Sequence, residues 1–101
     1  MNFCVIYRFS VKPGAEGTFM EGWRRLTEEI RDQRGGLGSR LHRGEDGWWY
    51  AYAQWLDRAG WERSQDMQAQ DTEAVQRMAD AIEERKPPIL LEPEIDLLVK
   101  S

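Results

Sequence analysis

The chain has 101 residues, 41% of them hydrophobic and 32% charged, which predicts one globular domain over residues 1–101 with a modest core. The net charge of −4 argues against a nucleic-acid partner, because binding to phosphates requires a basic surface. No apolar run approaches the roughly 20 residues that cross a bilayer, so no membrane partner is expected.

The N-terminal segment predicts a strand followed by a helix. Asn2–Lys12 is rich in Phe, Val, Ile and Tyr, which favours an extended conformation, and this segment lacks the apolar core of a signal peptide. Pro13-Gly14 ends the strand. Ala15–Gln33 is predicted to be a helix, because one apolar stripe repeats at helical spacing; it consists of Phe19, Trp23, Leu26 and Ile30.

The middle of the chain predicts a β-hairpin with strands Leu37–Arg43 and Trp48–Trp55 joined at Gly44–Gly47, since turn glycines supply the positive φ angles of a tight reversal. We predict that Arg43 pairs with Trp48. Directly opposed residues lie on the same side of a sheet. One face would then carry Leu37, Ser39, Leu41, Trp48, Tyr50, Tyr52 and Gln54. The other would carry Gly38, Arg40, His42, Trp49, Ala51, Ala53 and Trp55.

The C-terminal third predicts two helices and a strand. Asp57 is placed to cap a short helix through about Met67, and a second helix would run from Asp71 or Thr72 to Arg85. Pro87-Pro88 is expected to stop that helix. Ile89–Lys100 is predicted to be the last strand, interrupted at Pro93 by a bulge or at an edge.

The element order is therefore βαββαβ, a ferredoxin-like α+β sandwich with helices on one face of a four-stranded antiparallel sheet. Every predicted strand is expected to carry apolar residues on both faces. In the first strand Phe3, Val5, Tyr7 and Phe9 oppose Cys4 and Ile6, and in the last Ile95, Leu97 and Val99 oppose Leu98. Because the helices cover only one face, the other would be an apolar association surface. We expect a second copy of the chain to cover it, giving a homodimer through the sheet faces.

The single cysteine, Cys4, is expected to be a buried thiol in a cytoplasmic protein.

Several segments resemble the antibiotic biosynthesis monooxygenase family. They are the opening strand and Pro13-Gly14 followed by a helix with Phe19 and Trp23, the run Gly35–Leu41, and Trp55-Leu56-Asp57 before a short helix. The resemblance covers essentially the whole chain and implies a dimeric α/β barrel. Some members oxidise polycyclic aromatic compounds with molecular oxygen and without metal, flavin or haem, which implies that no cofactor is needed here.

Other relatives of that family degrade haem with an Asn on the first strand and a Trp and a His on the helix after the third. This chain has Tyr7 and Arg8 near the Asn position, and no His follows Trp61. The resemblance therefore argues against haem degradation. One His and one Cys far apart in sequence also predict no metal site.

The candidate catalytic residues are His42, Arg40, Tyr50 and Tyr52. His42 is the one side chain with an ordinary pKa near neutrality, so it is the candidate general base. Arg40 would stabilise a developing phenolate or enolate, and the two tyrosines would orient an aromatic ligand. Alternatively, His42 is a solvent-exposed strand residue and the tyrosines belong to the dimer contact.

The predicted function is cofactor-independent oxygenation of a small aromatic or polycyclic, quinol-like substrate. Two alternatives stay open at this point. The chain could bind a hydrophobic metabolite without turning it over, or it could be a non-oxygenating enzyme on the same barrel, such as an isomerase or decarboxylase.

Overall fold

The structure is a computed structural model that describes residues 1–99. Its sheet is antiparallel throughout, with strand order β2-β3-β1-β4, and the helices cover one face, so the predicted ferredoxin-like α+β fold is confirmed. The elements are β1 (Phe3–Val11), α1 (Glu16–Gln33), β2 (Gly36–Arg43), β3 (Trp49–Trp55), α2 (Arg58–Gln65), α3 (Thr72–Ala81) and β4 (Ile82–Leu91). None of the helices in this described part is long and apolar enough to cross a membrane.

The core lies between the sheet and the helices. Alternation along β1 turns Phe3, Val5 and Phe9 inward, where all three are buried. Phe19 of α1 is fully buried between Phe9 and Trp49, and each of its two ring-to-ring distances is 5.4 Å. Tilted and edge-on contacts of this kind add to the stabilisation from apolar burial. The apolar stripe predicted for α1 therefore packs against the sheet as expected.

Helices α1 and α3 cross closely at Gly22. A Cβ added there would lie 2.9 Å from the carbonyl oxygen of Ala74, so the approach of the two backbones requires glycine. Beside this crossing, the Arg25 guanidinium binds the Asp71 carboxylate at 2.7 Å and the Glu73 carboxylate at 2.9 Å. Asp71, one of the two predicted starting points of this helix, caps α3 by accepting a hydrogen bond from the backbone N–H of Ala74. These contacts fix α3 against α1.

The predicted hairpin register is wrong by one residue. Arg43 pairs with Trp49 and not with Trp48, because Trp48 belongs to the turn, where its backbone N–H donates to the Asp46 carboxylate at 2.9 Å. A bulge between Gly36 and Ser39 absorbs the extra residue at the other end of the strand pair. As a result Ser39 and Leu41 share the helix-side face with Ala51 and Ala53. His42 and Arg40 instead share the opposite, outer face with the β3 tyrosines.

The predicted boundary between the last helix and the last strand is also wrong. Helix α3 ends at Ala81, and β4 begins at Ile82 and contains Pro87-Pro88. Prolines fit there because β4 is an edge strand and the pair coincides with an irregularity in its register against β1. Residues 92–99, including Pro93, lie in no helix or strand. Lys100, the predicted end of the strand, lies outside the described residues.

Candidate functional site

A cavity of about 290 Å³ lies between the helix-side face of the sheet and the helices. The sheet lines it through β1, the start of β2, the end of β3 and Arg85 of β4, and helix α1 lines it with Trp23, Leu26 and Ile30 of its apolar stripe. Its walls are formed by Tyr7, Phe9, Trp23, Leu26, Thr27, Ile30, Arg31, Arg34, Gly36, Gly38, Ser39, Ala53, Gln54, Trp55, Gln65, Met67, Ala69, Met78 and Arg85. Aromatic and aliphatic walls with a few polar groups are typical of a site for an aromatic small molecule.

Tyr7 is the phenol in this cavity. It lies on the helix-side face of β1, and its hydroxyl accepts a hydrogen bond of 2.8 Å from the indole Nε1 of Trp61. Trp61 is held in place because Asp57 caps α2 by accepting from the backbone N–H of Gly60 at 2.7 Å. Burial raises the pKa of the Tyr7 phenol. Tyr7 therefore keeps its proton at neutral pH and can donate it in a hydrogen bond to a ligand oxygen.

Arg34 is the most buried cation of the wall. It directly follows α1, and its terminal nitrogen Nη2 donates to the backbone carbonyl of Ser64 at 2.7 Å. Its Nη1 lies 3.8 Å from a carboxylate oxygen of Glu29. Within residues 1–99, the buried Nε of Arg34 donates to no acceptor, and the same holds for the buried indole Nε1 of Trp55. Both donors are enclosed by the surrounding protein, although both residues line the cavity with other atoms.

The wall carries positive charge without acidic side chains. Arg31, Arg34 and Arg85 all line the cavity, and no Asp or Glu does so in the part of the chain described. Burial lowers the pKa of the Arg85 guanidinium, which lies 5.3 Å from the centre of the Phe9 ring. Arg31 is half exposed and pairs with Asp32 at 2.9 Å. Arg31 and Arg34 thus each have a carboxylate close by, outside the wall, and Arg85 forms no ion pair within residues 1–99.

The structure brings the four predicted site residues together on the outer face of the sheet. Arg40 pairs with Tyr52 and His42 pairs with Tyr50 across β2 and β3. The Arg40 Nε donates to His42 Nε2 at 3.1 Å, and His42 Nδ1 lies 3.3 Å from the Tyr50 carbonyl oxygen. None of the four lines the cavity between sheet and helices. Their catalytic role stays a prediction.

Both outer-face tyrosines have raised pKa values. The hydrogen bond from the Tyr50 hydroxyl to the Asp46 carboxylate is the main cause at Tyr50. At Tyr52 the main cause is the hydrogen bond with the Cys4 thiol, whose sulfur lies 3.0 Å from the hydroxyl oxygen. Cys4 itself is buried, as predicted. These tyrosines are therefore neutral at physiological pH.

The family model for antibiotic biosynthesis monooxygenases matches residues 2–81. The chain belongs to the antibiotic biosynthesis monooxygenase family. The match spans every element from β1 to α3, so the resemblance identified from the glycine-led β2 and the tryptophan that ends β3 is confirmed. Membership supports a monooxygenase-type function at the level of the family. None of the curated protein sequences compared with the chain matches it.

Solved structures similar to this family member agree with the fold. SnoaB, a cofactor-independent oxygenase from Streptomyces nogalater, is 19% identical, with 95% of this chain and 96% of that chain covered and a TM-score of 0.76. PA3566 from Pseudomonas aeruginosa is 20% identical, with 93% and 95% covered and a TM-score of 0.68. A conserved protein from Methanosarcina mazei Go1 is 14% identical, with 93% and 94% covered and a TM-score of 0.73. At such identities the likeness shows the fold alone.

The sequence prediction missed Tyr7 and Arg34 as candidate functional residues of this family member. The signal for Tyr7 was the period-2 alternation of β1, which places it on the same face as Val5 and Phe9. The signal for Arg34 was its position four residues after Ile30, which continues the inward stripe of α1 by one turn. Both signals indicate only which way the side chain points. They indicate a functional role only once the position of the cavity is known.

Proposed function

We propose that this family member is a cofactor-independent monooxygenase that oxidises a small aromatic or polycyclic, quinol-like substrate in the cavity between sheet and helices. The observation that carries the proposal is the aromatic-lined cavity with one half-buried phenol and three arginines in its wall. An apolar cavity of roughly 150 Å³ holds one benzene, so a volume of about 290 Å³ has room for a fused aromatic ring system. SnoaB, a cofactor-independent oxygenase, supports the reaction type.

In the proposed reaction, the substrate supplies the electrons. The ring packs against Trp23, Phe9 and Trp55, and the Tyr7 hydroxyl donates to the substrate oxygen. An anthrone-like substrate loses a proton from its ring CH2 group to water, and the resulting anion reduces molecular oxygen. One oxygen atom becomes the new carbonyl oxygen, the other leaves as water, and the CH2 carbon gives up four electrons. The arginines of the wall stabilise the anion before oxygen reacts.

Oxygen uptake with anthrone or a hydroquinone, without added metal or flavin, tests this proposal. We expect uptake well above the rate without protein. Tyr7→Phe keeps the ring and removes the hydroxyl, so turnover should fall on the order of tenfold or more. Thr18→Val is the control, because it also removes one hydroxyl group but at an exposed position of α1 that does not line the cavity, and it should retain full turnover. No uptake by the wild type, with saturable ligand binding, would instead indicate a metabolite-binding protein.

We also propose a homodimer through the outer sheet faces. Ile89 and Leu91 of β4 lie on that face and are 38% and 39% exposed. The segment after β4 adds four large apolar side chains that are 74–96% exposed, namely Ile95, Leu97, Leu98 and Val99. An apolar surface of this extent supports association with a second copy.

The buried free thiol of Cys4 supports the further proposal that the protein works in the cytoplasm.

The outer-face group of His42, Arg40, Tyr50 and Tyr52 is kept as a separate proposal for the position of the base. The shared face and the Arg40–His42 hydrogen bond support it. Against it, both ring nitrogens of His42 are engaged, so the imidazole would have to release Arg40 before it could accept a proton through Nε2.

A further inference from the structure

We propose that the loop of residues 66–71, which joins α2 to α3, is a lid over the cavity between sheet and helices. Met67 covers the ligand when the lid is closed, and Glu29 is the residue that positions the lid. This inference rests on the proposed function in one respect, since it takes the same cavity as the ligand site. It goes further by naming where a ligand enters and what retains it.

The loop lies at the mouth of the cavity. Met67 and Ala69 line the cavity, together with Gln65 at the end of α2. Met67 is nevertheless 46% exposed, so it lies where the cavity meets solvent. Arg31 of α1 also lines the cavity and is half exposed. The mouth is therefore bounded by α1 on one side and by the loop on the other, and a ligand passes between them.

Both ends of the loop are held by the C-terminal end of α1. Before the loop, the backbone carbonyl of Ser64 accepts a hydrogen bond of 2.7 Å from the Arg34 guanidinium. At the far end, the Glu29 carboxylate accepts hydrogen bonds of 2.8–3.1 Å from the backbone N–H groups of Gln70 and Asp71. Glu29 and Arg34 lie 3.8 Å apart. The two anchors therefore belong to one support.

The burial of polar residues is concentrated at these two anchors. Among residues 1–99, the buried polar or charged residues are Glu29 and Ser64, and both hold an end of this loop. A buried carboxylate is costly unless hydrogen bonds satisfy it, and here the loop backbone supplies them. When this end of the loop is released, water can replace the two N–H donors. Glu29 therefore holds the closed lid without preventing its release.

The middle of the loop has no comparable support. The N–H of Met67 donates to the Ser64 carbonyl at 3.1 Å, and the next N–H with an acceptor within residues 1–99 is that of Gln70. Gln68, between them, is exposed. Segments with few hydrogen bonds and exposed side chains open more easily than the elements around them. The middle of the loop can therefore move about its fixed ends while α2 and α3 stay in place.

Met67 is suited to cover an aromatic ligand. Methionine is unbranched and polarizable, fills irregular gaps and makes favourable contacts with aromatic rings. Nearly half of the Met67 surface faces solvent, so a ligand in the mouth would bury apolar surface that is now wet. This burial stabilises the closed lid only when a ligand is present. Ligand binding and lid closure are therefore coupled.

The test measures binding rates with one probe, 2-naphthol. Stopped-flow tryptophan fluorescence of the full-length protein follows binding, because Trp23 and Trp55 line the cavity. A lid that must open before a ligand enters or leaves slows both steps. Glu29→Ala removes one anchor, so it should raise both the association and the dissociation rate constants several-fold. A merely structural role of Glu29 would not speed association.

Two variants control for the change at Glu29. Glu29→Gln keeps an oxygen that can accept from the N–H groups of Gln70 and Asp71, so it should restore rates close to those of the wild type. Glu28→Ala removes the neighbouring carboxylate, which is more exposed and pairs with Arg24, and it should bind like the wild type.

Met67→Ala tests the covering side chain. It should raise the dissociation rate constant on the order of tenfold, because the bound probe loses apolar contact. Met20→Ala is the matched control, since Met20 is 44% exposed on α1 and does not line the cavity, and it should keep the wild-type rates. If Glu29→Ala does not fold, the comparison of Met67→Ala with Met20→Ala still decides.

Equal dissociation rates of Met67→Ala and Met20→Ala would overturn the lid. So would a Glu29→Ala variant that binds at the wild-type rate or more slowly, and so would a wild type that does not bind 2-naphthol. Oxygen uptake, measured in parallel, separates the two proposals. A wild type that consumes oxygen with anthrone, while both variants keep the wild-type binding rates, overturns only the lid. A protein with the expected binding rates that consumes no oxygen overturns only the oxygenase.

Discussion

Gly22→Ala should destabilise the protein, although alanine is the better helix former. The new Cβ would lie 2.9 Å from the Ala74 carbonyl oxygen, 3.0 Å from the Met78 Cγ and 3.2 Å from the Arg77 Cβ. The nearest atom belongs to the backbone of α3, so α1 and α3 must move apart. Overpacking of this kind costs about 1–3 kcal/mol, whereas replacing glycine in a helix returns up to about 1 kcal/mol.

The net loss is then up to about 2 kcal/mol, and each kcal/mol lowers Tm by about 4–8 °C for a domain of this size. Gly17→Ala is the matched control in the same helix, because an added Cβ there meets nothing within 4 Å. It should leave Tm unchanged or raise it by a few degrees. Thermal unfolding followed by circular dichroism measures both. If Gly22→Ala raises Tm as much as Gly17→Ala does, the close contact of α1 with α3 is refuted.

Two further predictions concern the outer face. Ile89→Asp should turn a dimer into a monomer in sedimentation at micromolar concentration, because it places a charge in the proposed interface. Met20→Asp, at a similarly exposed apolar position on α1, should stay dimeric, and a monomeric wild type would contradict the dimer. His42→Ala should lower turnover on the order of 10²-fold if the imidazole is the base. Full turnover would remove His42 from the chemistry.

The sequence could predict the element order because each element carries its own local signal. The apolar stripe of α1, the aromatic alternation of β3 and the Asp57 and Asp71 caps are all short-range patterns. All of these patterns indicate the same fold, and a prediction of the fold is dependable when its local signals agree. The helix-side core follows from the same alternation.

The register of the hairpin could not be predicted in the same way. It depends on whether the Asp46 side chain draws Trp48 into the turn and on a bulge after Gly36 that compensates for the extra residue. A shift of one residue moves every side chain of a strand to the other face. That shift is why His42 and Arg40 share a face with the tyrosines and not with Trp49. The end of the last helix was predicted wrongly for a related reason. Pro87-Pro88 was expected to stop a helix, whereas an edge strand with a bulge also tolerates prolines.

In this cavity, loss of the substrate's proton depends on the acidity of the substrate itself more than on a base supplied by the protein. Among the described residues, its titratable wall groups are Tyr7 and three arginines, and these groups ordinarily titrate near pH 10 or above. None of them can take a proton from a substrate near neutral pH, whereas an arginine wall stabilises an anion that has already formed. In a site of this kind, turnover rises with pH through the pKa of the substrate, which the guanidinium groups lower. A rate that instead follows one and the same pKa for every substrate would indicate a base supplied by the protein and would move the reaction from the cavity to the outer face, where His42 lies.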